Sequence, residues 1–123
     1  MDLFPQKPYR SVATYFDDYA MHLVKALSSI DRGGIENAVK LICEAMEQDK
    51  HIFACGNGGS SSIANHLVCD LAKGVSTRTN LKPRVRSFSS PIEIISAYAN
   101  DVGYAHIYVE QAKLFARKGD LRM

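Results

Sequence analysis

The sequence predicts an α/β fold in which amphipathic helices flank a parallel sheet. Three observations predict it: two helix-period apolar stripes before residue 50, a short apolar run that ends in a glycine cluster, and a return to helix periodicity straight after. A chain of 123 residues with 46% hydrophobic content can bury one core. One domain is expected, with residues 1–50 as a helical pair and residues 51–123 as an α/β portion.

Val12, Phe16, Tyr19, Leu23, Leu27 and Ile30 recur at steps of three or four, which predicts a first helix from about Ser11 to Ser29. Asp31-Arg32-Gly33-Gly34 breaks it. Ile35, Ala38, Val39, Ile42 and Met46 repeat the period in a second helix, expected to end near Asp49-Lys50. His51-Ile52-Phe53-Ala54-Cys55 lies between a charged pair and glycines, the pattern of a strand buried on both faces, and is expected at the centre of a parallel sheet. Beyond the glycines, Ile63, Ala64, Leu67, Val68 and Leu71 mark the buried side of a third helix that Gly74 is expected to end. Arg84-Val85-Arg86-Ser87-Phe88 alternates as a second strand, and its arginines suit a sheet edge. Ser90, Pro91 and Glu93 are expected as N-cap, first helical residue and capping-box acid of a fourth helix that stops near Asn100-Asp101-Val102-Gly103. Ala105, Tyr108, Val109, Ala112 and Ala116 define a fifth helix, closed by Arg117, Lys118 and Gly119. Two strands beside five amphipathic helices leave the sheet incomplete, so something further is expected to cover the apolar helix faces.

Composition narrows the function classes. A formal charge of +2 demands no polyanionic partner, and the basic series Lys73, Arg78, Lys82, Arg84, Arg86 lacks the aromatic interleaving of a nucleic-acid platform. No nucleic-acid partner is expected. Apolar runs such as Ile52-Phe53-Ala54-Cys55 fall far short of the roughly 20 residues of a membrane span. The start, Met1-Asp2-Leu3-Phe4-Pro5, has no apolar stretch with a cleavage site, so a cytoplasmic protein without membrane association is expected. Cys43, Cys55 and Cys69 match neither a metal motif nor a disulfide scaffold and are expected as buried, reduced thiols.

The chemistry concentrates after the first strand. Gly56-Asn57-Gly58-Gly59 follows a strand and opens a helix, so its amide groups can converge on an anion at the positive end of the helix dipole, with Ser60, Ser61 and Ser62 adding hydroxyls. The segment is neither a dinucleotide nor a nucleoside-triphosphate motif, which favours a phosphorylated small molecule. The alternative is a tight strand-to-helix turn capped by serine, with no ligand. Ser62, His66 and Asp70 follow at i, i+4 and i+8 on one helix face, where Asp70 can move a proton beside a carbonyl while His66 shuttles or polarises. The same pair can supply two metal ligands, and a plain solvated face remains open as the other reading. Ser89-Ser90, after the second strand, lies where an open α/β sheet places its ligand groups, with capping as the alternative for Ser90, and Asn100-Asp101, at the end of the fourth helix, can bind sugar hydroxyls or close an Asx turn.

The run from Phe53 through Cys55-Gly56-Asn57-Gly58-Gly59-Ser60, then His66, then Asn100-Asp101-Val102-Gly103-Tyr104, resembles the phosphoheptose isomerase branch of the sugar isomerase (SIS) domain family, from about Ser11 to Asp120. The resemblance implies a flavodoxin-like parallel sheet in a homo-oligomer, dimer or tetramer, with active sites shared between subunits. It implies aldose–ketose isomerisation of sedoheptulose 7-phosphate through an enediol, an early step toward lipopolysaccharide heptose. Some members bind zinc. Carried over to this sequence, Ser60 contacts substrate, His66 matches the helix histidine, Asp70 occupies the carboxylate position and Asp101 meets sugar hydroxyls, beside Gly56, Asn57, Gly58, Gly59, Ser90 and Asn100 as candidates from the residues themselves. Two departures stand out. The family typically carries glutamate where this chain has Asp70, and it continues beyond Gly119-Asp120 into further strands, a serine-rich phosphate loop and a distal catalytic histidine. The chain is therefore read as the front part of such a domain. The alternative function is a non-catalytic SIS module that binds a sugar phosphate or a protein.

Overall fold

The computed structural model describes residues 4, 5 and 7–123. Met1, Asp2 and Leu3, on which the expectation of no leader partly rests, lie outside the described residues. Two compact units divide the chain, Met1–Glu36 and Asn37–Met123.

The first unit is built on α1 (Val12–Ser28), close to the predicted helix. Ser11 caps it, its Oγ accepting from the Thr14 amide at 3.2 Å. The apolar stripe is present, but Val12, Phe16, Leu23 and Leu27 stand exposed. Ahead of the helix, Phe4 and Tyr9 gather with Tyr15, Tyr19 and His22 into an aromatic cluster. Tyr9 donates its hydroxyl to Asp18, which pushes the phenol up to about 12 and, with Lys7 and His22 close by, holds the Asp18 carboxyl below its usual range.

Helix α2 (Arg32–Glu47) starts three residues before the first apolar residue of its stripe. Asp31 is the reason: its two carboxylate oxygens accept from the amides of Gly33 and Gly34 at 3.0 and 3.1 Å, so the glycines form the first helical turn after a capping acid.

In the second unit, β1 (His51–Ala54) is the central strand of a three-stranded parallel sheet, between β2 (Arg84–Ser87) and β3 (Leu121–Arg122). Ile52, Phe53 and Ala54 are buried, as an apolar run flanked by two strands requires. Phe53 stacks on Phe88 at 4.7 Å between ring centroids, and Ile107, Gln111 and Ala64 complete the core. β2 is an edge strand with Arg84 and Arg86 exposed, as the sequence predicts.

Several expectations are corrected. The sheet has three strands rather than two, because Leu121–Arg122 pairs with Ile52 and Phe53; a two-residue strand carries too little periodicity to be read. Helix α3 (Gly59–Cys69) does not stop at Gly74 but runs on as a π-helical stretch, Asp70–Val75, and one further turn, α4 (Ser76–Arg78). Hydroxyls hold the wide turn: Ser76 donates to the carbonyls of Ala72 and Lys73, Thr77 to that of Lys73 and Thr79 to that of Val75. Ile63, expected on the buried side of α3, is 72% exposed. Pro91 rather than Ser90 occupies the cap position of α5 (Ile92–Asp101), without a side-chain cap bond. The fifth predicted helix is a 3₁₀ turn (Tyr104–His106) followed by α6 (Val109–Phe115), and its buried residues are Ile107 and Gln111 rather than the alanines. The three cysteines are free but exposed, not buried.

Candidate functional site

The end of β1 delivers Cys55 and Gly56 into the glycine turn, and parallel pairing fixes what lies beside them. Ala54 pairs with Ser87, so two residues further along each chain Gly56 meets Ser89. The Gly56 amide donates to Ser89 Oγ, and Ser89 Oγ donates to the Gly56 carbonyl, both at 2.9 Å. Tyr108, just ahead of α6, brings its hydroxyl within 2.6 Å of the same carbonyl and 2.9 Å of Asn57 Oδ1. Tyr104 donates to Asn57 Oδ1 at 3.0 Å.

Glycine is required at two of the turn positions, for different reasons. A Cβ on Gly56 would lie 2.6 Å from the backbone of Ser60, so the close return of the chain onto α3 excludes any side chain. Gly58 adopts φ +55°, the left-handed region. It occupies the N-cap position of α3 with no side chain capping it. Serine does not cap this helix. The amides of Ser60 and Ser61 turn back to the carbonyls of Asn57 and Gly58 at 3.0 Å. Among the described residues, the amides of Asn57, Gly58 and Gly59 donate to no protein acceptor. They gather at the positive end of an 11-residue helix, an arrangement that suits an oxyanion.

His66 and Asp70 lie one turn apart, with Nε2 and Oδ2 3.5 Å from each other and side chains 76% and 64% exposed. The pair is held in register because the Asp70 amide still bonds back to the carbonyl of His66; the π-helical stretch begins at Asp70 itself. Two donors fall short of zinc, which takes at least three protein ligands. Among the described residues no group of three His, Cys, Asp or Glu side chains comes together. The residues present do not by themselves fit a zinc centre.

Ser90 turns toward α3 and donates to Asn65 Oδ1 at 2.8 Å. Asn100 donates to Asp101 Oδ1 at 2.7 Å, so these two exposed side chains bond each other rather than closing an Asx turn. Sequence reasoning placed Ser89 with Ser90 at the ligand edge of the sheet but not as a partner of Gly56, and it missed Tyr108, which counts as an apolar-face residue until its hydroxyl finds a partner.

Away from the turn, Asp120 locks the opposite end of the sheet. Its carboxylate accepts from the amides of His51 at 2.9 Å and Arg117 at 2.6 Å. Burial opposes its charge, but those two amides, with His51 and Lys50 nearby, outweigh burial and hold the carboxyl below its usual value.

Comparison with known proteins matches residues 14–121 to the SIS domain. The chain belongs to the SIS domain family. Similar family members include a phosphoheptose isomerase of Aliarcobacter butzleri, 31% identical over 87 residues, covering 71% of this chain and 46% of the relative. Another, of Bordetella avium, is 33% identical over 71% of this chain and 44% of its own. A third, of Helicobacter pylori strain P12, is 30% identical over 80% and 50%. The chain thus spans about half the length of the relatives it matches. Among solved structures, the phosphoheptose isomerases of Neisseria gonorrhoeae and Francisella tularensis superpose with TM-scores of 0.75 and 0.78 at 24% and 21% identity. Each covers 90% of this chain, which in turn spans 56% and 57% of theirs; this likeness bears on the fold. The fold is therefore the SIS α/β fold with a parallel sheet. Among the described residues no helix is long and apolar enough to cross a membrane.

Proposed function

We infer that the chain serves a sugar-phosphate isomerase of the phosphoheptose type, acting on sedoheptulose 7-phosphate in the supply of lipopolysaccharide heptose. The observation that carries this reading is the Cys55–Ser62 turn, whose amides at Asn57, Gly58 and Gly59 have no protein acceptor among the described residues and lie at a helix N-terminus, with the flanking backbone locked by Ser89 and Tyr108. The family membership and the phosphoheptose isomerase relatives support it. The turn holds the phosphorylated ligand. Asp70 takes the proton from the carbon beside the carbonyl, and the C–H electron pair forms the enediol double bond as the carbonyl oxygen gains a proton. Return of the proton to the former carbonyl carbon, as the hydroxyl on the carbon first deprotonated gives up its own proton and becomes the new carbonyl, completes the aldose. His66, 3.5 Å from Asp70, orients the carboxylate or relays its proton, and Asn100 and Asp101 face sugar hydroxyls. No step is routed through zinc, whose remaining ligands would have to come from outside the described residues.

Exposed apolar residues on α1 and α2, among them Phe16, Leu23, Leu27, Ile35 and Val39, support assembly into a homo-oligomer, dimer or tetramer; a cytoplasmic location belongs to the same reading. The exposure of His66 and Asp70 favours a second reading, a module that binds the sugar phosphate without turning it over.

Turnover of sedoheptulose 7-phosphate, followed beside calorimetric binding, separates the two. The isomerase reading expects Asp70→Ala to lose at least about 100-fold in rate with binding retained. Turnover unaffected by that substitution removes Asp70 as base, and binding without turnover in the unsubstituted chain leaves the binding module.

A further inference from the structure

Helix α6 covers only part of the sheet face it packs on. Its Phe115 lies 6.4 Å from Phe88 and beneath the Arg86 guanidinium, 4.0 Å from the ring centre, so α6 sits over β2 and β1. Arg86, Phe53 and Arg122 are partners across the three strands and stand on that same face. Beside α6, toward β3, the face stays open as two hollows of about 190 and 320 Å³ that share Val109, Ala112 and Arg122 as walls. The smaller is apolar, with Phe53, Phe88 and Met123 behind Val109 and Ala112, and Val109 and Met123 are 44% and 46% exposed. The larger is basic: Lys113, Arg117, Lys118 and Arg122 line it, with no carboxylate among the described residues. Glu110 holds Lys113 at 2.7 Å, whereas the side chains of Arg117, Lys118 and Arg122 pair with no acid among the described residues. Asp120, between them in sequence, turns its carboxylate inward to the His51 and Arg117 amides. The Arg117 guanidinium is fixed at the rim by the carbonyls of Leu114 and Ala116, at 3.2 and 3.3 Å.

We propose that the groove between α6 and β3 docks an amphipathic helix of another protein, its apolar side chains in the hollow at Phe53 and Met123 and its carboxylates against Arg117, Lys118 and Arg122. Charge selects this occupant. An exposed apolar hollow rimmed by unpaired charge of one sign has the composition of a protein-binding surface. A second copy meeting the groove face to face would set cations against cations. A small free anion would satisfy the basic hollow and leave the apolar one in water. An acidic amphipathic helix satisfies both.

Random peptides displayed on phage and selected on the whole chain, then resynthesised with a fluorescent label, supply the probe. Enriched peptides should carry apolar residues at helical spacing and cluster Asp or Glu at one end. Their affinity, read by fluorescence anisotropy, should weaken as salt rises and fall at least about tenfold in the double variant Lys118→Glu/Arg122→Glu. Lys118→Arg/Arg122→Lys, which keeps both charges, should stay within about twofold. Both positions are exposed, so the melting temperature should hardly change. In amide nuclear magnetic resonance spectra of the unsubstituted chain, the shifts caused by the peptide should centre on Val109, Ala112 and Arg122. No enrichment, enriched peptides without acids, shifts centred elsewhere, or affinity untouched by charge reversal each overturn the proposal. Displacement of the peptide by an equal concentration of inorganic triphosphate overturns it in favour of a small-anion site. A dimer in sedimentation that the double glutamate variant splits overturns it in favour of a second copy.

Discussion

Replacing Gly56 with alanine tests whether the turn is a built site or merely a loop. The added Cβ would meet the Ser60 carbonyl carbon and oxygen and its Cβ, all at 2.6 Å, and backbone atoms cannot swing aside as a side-chain tip can. Restoring ordinary contact at about 3.4 Å moves the first turn of α3 by about 0.8 Å relative to β1. Strain of that kind costs about 1–3 kcal/mol, and the Gly56 bonds to Ser89 and Tyr108 are worth about 0.5–1.5 kcal/mol each where they are lost. Amides set at about 2.9 Å from a bound oxygen move beyond hydrogen-bond range after such a shift. Losing one or two such bonds to a charged oxygen weakens binding by at least about tenfold to 100-fold. Urea denaturation and calorimetry with sedoheptulose 7-phosphate read both losses. Gly59→Ala is the control, because its Cβ would meet nothing within 4 Å and the change should stay within about 0.5 kcal/mol. Gly58→Ala also has open space but sits at φ +55°, and should cost about 1–2 kcal/mol from backbone strain alone. A Gly56→Ala protein that folds and binds like the unsubstituted chain would refute the close-approach argument.

Asp120→Ala should cost about 2–4 kcal/mol in urea denaturation, because the His51 and Arg117 amides lose their acceptor. Its carboxyl is held below the usual value when folded, so the unfolded chain binds more protons in acid. The stabilisation it brings is fully present above the unfolded carboxyl value of about 3.9 and fades as pH falls through the folded value, so Asp120→Asn should flatten this acid limb. Gln111→Leu should cost about 1–3 kcal/mol, since the Phe88 carbonyl loses the Nε2 donor that reaches it at 3.0 Å. Asp70→Glu, which adds one methylene of reach toward the substrate, should raise turnover, by up to about 100-fold if the base now stands about 1 Å short; a fall in rate with binding unchanged would count against that.

The elements with strong periodicity were legible. The two leading helices, the central strand, the edge strand and the strand–glycine–helix order all follow from apolar spacing and from the turn residues. What failed has physical causes. Gly74 reads as a helix terminator on propensity, but Ser76, Thr77 and Thr79 return their hydroxyls to the carbonyls around it and carry the helix through a π-helical stretch. Ser90 matches a capping pattern, yet its hydroxyl bonds Asn65, a partner 25 residues away that no local pattern reveals. Gln111 was absent from the expected core because a polar side chain counts against burial. It is nonetheless fully buried, its amide bridging the carbonyls of Phe88 and Ile107, while Oε1 has no partner among the described residues. The glycine turn was found, but the residues that hold it were not.

That asymmetry says how the site is made. Gly56 and Gly58 permit the turn's shape, whereas its hold comes from Ser89, 33 residues beyond Gly56, and Tyr108, 52 residues beyond it. Gln111 completes the chain of contacts: from α6 it binds the carbonyl of Phe88, whose neighbour Ser89 binds Gly56, and it lies one helical turn from Tyr108. No atom of Gln111 reaches the turn. A substitution there should nevertheless weaken phosphate binding, because α6 and the end of β2 reach Gly56 as one packed unit. Binding must in turn stabilise that unit, by about 2.7 kcal/mol when ligand stands at 100 times its dissociation constant. A turn that worked as an independent loop would bind phosphate equally well with Gln111 replaced.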